Sequence, residues 1–107
     1  MEKISTHVLD TASGKPAAGV RVRLFHDHAP VADFVTNDDG RCDAPLVTDP
    51  APGHYQIIFS IGDYFRAKGI DSPFLDEVPI HFIVSENQSY HIPLLCSPWS
   101  YSTYRGS

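Results

Sequence analysis

Two histidines lie where a β-strand could hold a titratable side chain. His7 falls within the β-rich run Ile4–Leu9, so its imidazole, which titrates near neutral pH, would be presented from a rigid element. His91 stands between Tyr90 and Ile92. Because side chains alternate between the two faces of a strand, the apolar neighbours would fill the core and His91 would face solvent or a partner. Both residues are candidates for acid–base chemistry, although a structural role for His7 also fits the pattern.

An arginine and the end of the chain add charge and hydrogen-bond donors. Arg41 directly follows the segment 37–40, whose sequence Asn-Asp-Asp-Gly is typical of a tight hairpin turn. Its rigid guanidinium could bind a carbonyl-rich or anionic ligand, or it could be an ordinary surface charge. The segment 99–107 combines aromatic, hydroxyl and guanidinium groups, whereas chain ends are usually bland in composition. This tail is either part of a site or an edge strand with an aromatic anchor.

The remaining histidines give weaker signals. His26 and His28 flank Asp27 and could project both rings to one side of an extended segment, as metal ligands do. No third ligand follows from the spacing, so a solvated turn is favoured over a metal site. His54 and His81 lie in or beside apolar strands, where hydrogen-bonded structural histidines are more common than catalysts. We assign no function to these residues and expect no metal.

Nine prolines and seven glycines separate short β-rich runs, a pattern typical of a fold built mainly from strands. We therefore expect strands to position the candidate residues. Val20–His26 alternates most clearly, and its valine face should lie in the core. One short helix is predicted over Asp63–Lys68, ahead of Gly69. Pro93 lacks an N–H, so its strand must be an edge strand, be bulged, or place this position where no ladder bond is needed. We expect about eight strands in an all-β sandwich or barrel, and the clearest runs are Ile4–Leu9, Val20–His26, Val31–Thr36, His54–Ile61, Val78–Val84, Tyr90–Leu95 and Tyr101–Arg105.

Length and composition bound the architecture and exclude several classes of protein. With 107 residues, 42% hydrophobic and 20% charged, the chain is sized for one domain over 1–107 and is too apolar for disorder. Eight Lys and Arg against thirteen Asp and Glu give a charge of −5 without a basic stripe, so no nucleic-acid partner is expected. No apolar run could cross a membrane, and the opening residues lack the features of a secretory signal. Cys42 and Cys96 are expected to be reduced thiols, and a cytoplasmic protein is predicted.

Four segments in this order resemble the transthyretin-like family of 5-hydroxyisourate hydrolases. They are Ser5–Asp10, Thr36–Arg41, Tyr90–Leu95 with Ser97-Pro98 after it, and the terminal Tyr104-Arg105-Gly106-Ser107. The resemblance spans essentially the whole chain. Each motif is weak alone, but the four together are specific, and the terminal tetrapeptide separates these hydrolases from the hormone-carrying transthyretins.

The resemblance implies an all-β, transthyretin-like (prealbumin-like) sandwich of two four-stranded sheets with one short helix. It also implies a homotetramer with active sites at the subunit interfaces and no membrane association. The implied reaction opens the cyclic amide C–N bond of a small molecule, 5-hydroxyisourate, to give 2-oxo-4-hydroxy-4-carboxy-5-ureidoimidazoline, with no cofactor or metal. Matched residue by residue, the catalytic residues are His7, Arg41, His91 and Ser107, and the substrate-binding residues are His7, Arg41, Tyr104 and Arg105.

These residue types suit the implied chemistry. An imidazole can take a proton from water, and a guanidinium can stabilise the oxyanion that forms when water attacks an amide carbonyl. Whether His7 or His91 is the base stays open at this point. Two other functions remain as alternatives: a transthyretin-like carrier that binds a ligand in its channel, and a β-sandwich module of an adhesive or carbohydrate-binding protein.

Overall fold

The computed structural model describes residues 1–86 and 88–106. Within these residues the chain forms nine β-strands in two sheets, with one short helix after the sixth strand. The elements are β1 (Lys3–Asp10), β2 (Lys15–Pro16), β3 (Arg21–His26), β4 (Ala29–Val35), β5 (Val47–Thr48), β6 (Gly53–Ser60), α1 (Ile61–Ala67), β7 (Glu77–Val84), β8 (Tyr90–Cys96) and β9 (Tyr101–Thr103).

The two sheets differ in their number of strands. One has the order β4-β3-β6-β7 and is four-stranded, as expected. The other has the order β2-β1-β8-β9, and β5 pairs with β1 as its fifth strand. Both β2 and β5 contain two residues and pair with opposite ends of β1. Such short segments carry no alternation of apolar and polar residues, so the sequence does not predict them.

The core lies between the sheets, and alternation predicts its faces correctly. In β3, Val22 and Leu24 are fully buried while Arg21 is exposed. In β8, Ile92 is buried and His91 is only half-buried. Burying an aliphatic or aromatic side chain contributes roughly 1.5–3 kcal/mol, so the alternating pattern fixes which face of each strand turns inward. The largest fully buried side chains are Phe59, Phe65, Ile4, Leu24, Ile57, Ile61, Leu94, Val8, Val20, Val22, Val78 and Val84.

The helix lies close to its predicted position but begins and ends earlier. It spans Ile61–Ala67 rather than 63–68 and starts directly after β6. Its first residue is fully buried together with Phe65, one turn later, so packing against the sheet sets its start. Gly69 follows with a φ of 75°, a conformation that favours glycine and ends the helix. In the described residues, the structure has no helix that is both long and apolar enough to span a membrane.

Pro93 lies in an inner strand of the five-stranded sheet. The strand β8 pairs in parallel with β1 on one side and antiparallel with β9 on the other, so it is not an edge strand. Its register with β1 runs without a shift, so it is not bulged there. Pairing with β9 begins at Leu94, one residue after the proline. Pro93 therefore stands just outside that ladder, where its carbonyl accepts a hydrogen bond from Thr103 Oγ1 at 2.7 Å.

Candidate active site

The parallel pair β1–β8 brings the candidate histidines to one surface. Ser5 is the register partner of His91, and His7 is the register partner of Pro93. The half-buried face of β1 carries Ser5 and His7, whereas Thr6 between them is buried. Ser5 Oγ lies 2.9 Å from Nδ1 of His91, within hydrogen-bond distance. The two histidines are therefore held by neighbouring strands of one sheet.

Asn37 stabilises the turn that carries Arg41. Its Oδ1 accepts hydrogen bonds from the N–H groups of Asp39 at 2.9 Å and of Arg41 at 3.2 Å. The N–H of Asn37 in turn donates to the Arg41 carbonyl at 2.7 Å. The predicted reversal forms, but it is not a β-hairpin, because β4 belongs to one sheet and β5, which follows the turn, to the other. The turn crosses between the sheets and brings Arg41 to the edge of β1.

Gly40 fixes this turn against β1. The N–H of Val8 donates to the Gly40 carbonyl at 2.8 Å, and His7 and Arg41 form an antiparallel β-bridge. Gly40 has a φ of 74°, and a β-carbon at this position would lie 2.5 Å from the carbonyl oxygen of Val8. Only glycine combines that backbone conformation with so close an approach. The backbone of Arg41 is thus fixed beside His7.

The tail of the chain closes the other side of His91. The strand β9 ends at Thr103 rather than at the predicted Arg105, and the chain then continues along β8 to a bridge between Gly106 and His91 in the same antiparallel register. The N–H of Gly106 donates to the His91 carbonyl at 2.7 Å. A β-carbon on Gly106 would lie 2.6 Å from Cδ2 of the His91 ring, so the tail packs closely on the imidazole.

These elements enclose a cleft of about 450 Å³, lined by Lys3, Ser5, Arg41, Ser89, Tyr90, His91 and Gly106. Burial lowers the pKa of His91 below its ordinary value, and the nearby positive groups of Arg41, His7 and Lys3 lower this pKa further. A lowered pKa keeps more of the imidazole neutral near pH 7, which is the form that can accept a proton. The cleft therefore combines a neutral base with cationic hydrogen-bond donors.

Four of the predicted site residues are not part of this lining. His7 lies on β1 and forms a backbone bridge with Arg41, but its side chain does not line the cleft. Tyr104 is 61% exposed and borders an adjacent, more apolar cleft of about 280 Å³ together with Arg105. The Arg105 guanidinium lies 4.4 Å from the centre of the Tyr90 ring. Its Nη2 donates to Gln88 Oε1 and to the Ser89 carbonyl, both at 3.0 Å. Ser107 lies outside the residues that the structure describes.

Sequence reasoning missed several residues of the cleft. Lys3 begins β1 and Ser89 directly precedes β8, while Ser5 is only the first residue of the motif Ser5–Asp10, with no role predicted for it. Alternation along β1 already places Lys3, Ser5 and His7 on one face. What alternation does not supply is the β1–β8 register, which brings Ser5 to His91 across a separation of 86 residues.

The other histidines lie on the four-stranded sheet. His28, His54 and His81 border another pocket of about 220 Å³, and His81 also borders the apolar cleft beside Tyr104 and Arg105. His26 stacks on Tyr55 with ring centres 4.3 Å apart and planes 8° from parallel. Among residues 1–86 and 88–106, no three His, Cys, Asp or Glu side chains are grouped so that they could hold a metal ion.

A model of the HIUase/Transthyretin family matches residues 4–106. The chain belongs to this family. A 5-hydroxyisourate hydrolase of Pseudomonas aeruginosa is 47% identical to this HIUase/Transthyretin family member over an alignment that covers 100% of this chain and 93% of that protein. The family expected from the four sequence motifs is therefore confirmed.

Solved structures agree with the fold of this family member. A 5-hydroxyisourate hydrolase of Klebsiella pneumoniae superimposes with a TM-score of 0.90 at 38% identity, with 100% of both chains covered. Sea bream transthyretin in complex with thyroxine gives 0.89 at 26% identity, covering 97% of this chain and 94% of that one. An (S)-allantoin synthase gives 0.93 at 41% identity, and this chain spans 99% of its own length but only 44% of that longer chain. The transthyretin-like sandwich is thereby confirmed.

Proposed function

We propose that the protein is a 5-hydroxyisourate hydrolase, which opens the cyclic amide C–N bond to give 2-oxo-4-hydroxy-4-carboxy-5-ureidoimidazoline in urate degradation. Relatives of that name match nearly the full length of the chain, which supports this reaction. The observation that carries the proposal is the cleft at the β1–β8 pair, where His91 and Arg41 share one lining. The proposal assigns residues 1–107 to a single catalytic domain.

In the proposed mechanism, a histidine removes a proton from the attacking water. His91 suits this task because it lines the cleft and because its pKa is lowered, so that the neutral ring is available. His7 lies on the same face of the sheet and is assigned to relay the proton that His91 takes from water to the ring nitrogen that leaves when the amide C–N bond breaks. Water attack places negative charge on the amide oxygen, and we assign Arg41 to stabilise that oxyanion. Imidazole and guanidinium groups together supply this chemistry, so the proposal uses no metal or cofactor.

The tail is assigned to substrate binding. Tyr104 and Arg105 border the cleft that adjoins the His91 site, and the Nη2 of Arg105 also holds the 88–89 segment. Ser107 is proposed to contribute its hydroxyl to the catalytic group. Because the chain from Tyr104 onward lies beyond β9, substrate could reach these groups without disturbing the sandwich.

We further propose a homotetramer with active sites at the subunit interfaces, located in the cytoplasm. Two edge strands, β7 and β9, are open to pairing with a second copy of the chain. Exposed apolar side chains offer further contact surface, among them Ile83, Trp99 and Tyr104. Cys42 and Cys96 are both free thiols, which suits a reducing compartment. Light scattering after size-exclusion chromatography tests the tetramer, and cell fractionation tests the location.

The decisive experiment follows the ultraviolet decay of 5-hydroxyisourate generated in place by urate oxidase. The wild-type protein should accelerate the decay well beyond the spontaneous rate, and His7→Ala should remove most of this acceleration. His54→Ala is a matched control, because His54 is exposed on the other sheet, borders neither of the two clefts and should leave the rate unchanged. A wild-type protein that does not exceed the spontaneous rate would overturn the proposed function and favour a ligand carrier.

A further inference from the structure

The hydrogen bond between Ser5 and His91 orients a ring that the proposed reaction depends on. We propose that Ser5 is a positioning residue whose Oγ accepts a hydrogen bond from Nδ1–H of His91, so that Nε2 is left as the proton acceptor in the cleft. This inference rests on the proposed function for its chemical meaning. The contact itself is direct, with Ser5 Oγ 2.9 Å from Nδ1.

The backbone on both sides of His91 leaves the ring little freedom. Its Cα is held in register with Ser5 by the β1–β8 ladder, and its carbonyl accepts from Gly106 N–H at 2.7 Å. The Gly106 backbone packs so closely that an added β-carbon would lie 2.6 Å from Cδ2 and 3.2 Å from Cγ of the ring. With one side of the imidazole covered and Nδ1 engaged, Nε2 is the ring nitrogen left for the cleft.

The surrounding charges explain why one proton position matters. Burial disfavours a positive charge on His91 most strongly. The nearby charges of Arg41, on the turn after β4, and of His7 and Lys3, on β1, disfavour it further. Arg105 on the tail lies over Tyr90 instead. A neutral imidazole carries one N–H, on either Nδ1 or Nε2. If Nδ1 carries it, Nε2 presents a lone pair to water, whereas the opposite arrangement would present a donor and block base catalysis.

The neighbouring hydroxyl provides a matched control. Thr6 Oγ1 donates to the Ile92 carbonyl at 2.7 Å, so it also links β1 to β8, but it is buried and does not touch the His91 ring. Removing it in Thr6→Val tests the loss of an inter-strand hydrogen bond without changing the imidazole. Ser5→Ala removes the contact to the ring, and Ser5→Thr restores a hydroxyl at the same position with a side chain that suits a strand.

The experiment combines kinetics with nuclear magnetic resonance titration of His91. In Ser5→Ala we expect kcat to fall about fivefold to tenfold, the effect of one hydrogen bond, with little change in KM. Ser5→Thr should restore most of kcat, and Thr6→Val should lower thermal stability while keeping kcat. The pKa of His91 should move to lower pH in Ser5→Ala, because an accepting Oγ stabilises the charged ring more than the neutral one.

Two results would overturn the inference. An unchanged kcat in Ser5→Ala would show that the contact does not position the base. A His91 pKa that moves to higher pH would show that Ser5 donates to Nδ1 and stabilises the neutral ring with its proton on Nε2. The titration reads the ring directly, so it stays informative even if the wild-type protein fails to hydrolyse 5-hydroxyisourate, and the two proposals can fail separately.

Discussion

Two groups of histidines occupy the two sheets of this molecule, and their surroundings differ sharply. On the five-stranded sheet, His7 and His91 lie beside Arg41 and Lys3, and the His91 backbone and ring are held by hydrogen bonds from two other segments. On the four-stranded sheet, His26 stacks on an aromatic ring, while its neighbours border an open pocket. The second group has four histidines against two in the first, yet among the described residues it is the first group that combines nearby cations with a ring held in place.

The comparison shows that a histidine becomes a candidate base through its neighbours. His26 Nε2 is buried without a hydrogen-bond partner among the described residues, and the nearest carboxylate oxygen of Asp27 is 3.5 Å away. That ring contributes mainly through packing against Tyr55. His91 instead has its Nδ1 and its carbonyl each held by a specific contact. We therefore expect substitutions in the first group to change turnover and those in the second to change stability or nothing.

The largest effect is expected from His91→Ala. Removing a general base typically lowers the rate by about 10²–10⁴-fold, so turnover of 5-hydroxyisourate should fall at least about 100-fold. The sandwich should still form, because the side chain is only half-buried, and circular dichroism melting checks this. His54→Ala, on the exposed face of β6, should keep full turnover. Equal losses in both variants would remove the distinction between the two groups.

The next largest effect is expected from Gly106→Ala. The added β-carbon would lie 2.6 Å from Cδ2 of His91, so the ring or the tail must shift. Displacing a catalytic group by a fraction of an ångström is expected to lower kcat roughly tenfold or more. Turnover kinetics of the purified variant measure this loss.

Gly69→Ala provides the control for that substitution. Gly69 has a φ of 75°, yet no atom lies within 4 Å of its added β-carbon. This variant should lose roughly 1 kcal/mol of folding free energy through backbone strain and keep its kcat. If Gly106→Ala were as active as Gly69→Ala, close packing of the tail on His91 would have no catalytic role.

Much of this arrangement is predictable from the sequence, and the remainder depends on contacts between distant segments. Alternation correctly turns Val22 inward and His91 outward, since both follow from the period of a strand. The same rule leaves Ser5 and Lys3 as unremarkable surface residues. Their importance comes from the parallel β1–β8 register, which no local pattern encodes. The turn before Arg41 is similarly predictable as a turn, but not as a crossing between the sheets.

The tail and the short strands show the same limit. The sequence predicts one strand over Tyr101–Arg105, but the β8–β9 ladder ends at Thr103. The bridge between His91 and Gly106 continues it in the same register, and the gap lies opposite Pro93, which has no N–H to donate. The strands β2 and β5 exist because β1 has an open edge to pair with, and their own residues give no signal. The resemblance to a family supplied the site residues that pattern alone left as alternatives, and their roles remain proposals.

A smaller effect, on stability alone, is expected from His26→Ala. Its ring stacks on Tyr55 with centres 4.3 Å apart, and loss of such a pair should lower the free energy of unfolding by about 1–2 kcal/mol. The cost is limited because the buried Nε2 makes no hydrogen bond that would also be lost. Urea titration measures the change, and the turnover assay should show the wild-type kcat. A drop in kcat at unchanged stability would contradict the structural role of this group.

The smallest effect is expected from Lys3→Gln, and it is a shift in pH dependence. Lys3 is exposed at the rim of the cleft, and its positive charge contributes the weakest of the influences that lower the His91 pKa. Without this charge the pKa of His91 should rise slightly, because the protonated ring loses a repulsive neighbour. The base must be neutral to act, so the acid limb of the kcat/KM profile should move to higher pH, while the rate well above that limb stays the same. The shift should shrink in high salt, since an exposed charge is screened.

Lys15→Gln, which removes an exposed lysine from β2, is the control and should leave the pH profile unchanged. An equal shift in this variant would mean that net charge, rather than the position of Lys3, controls the pKa of His91.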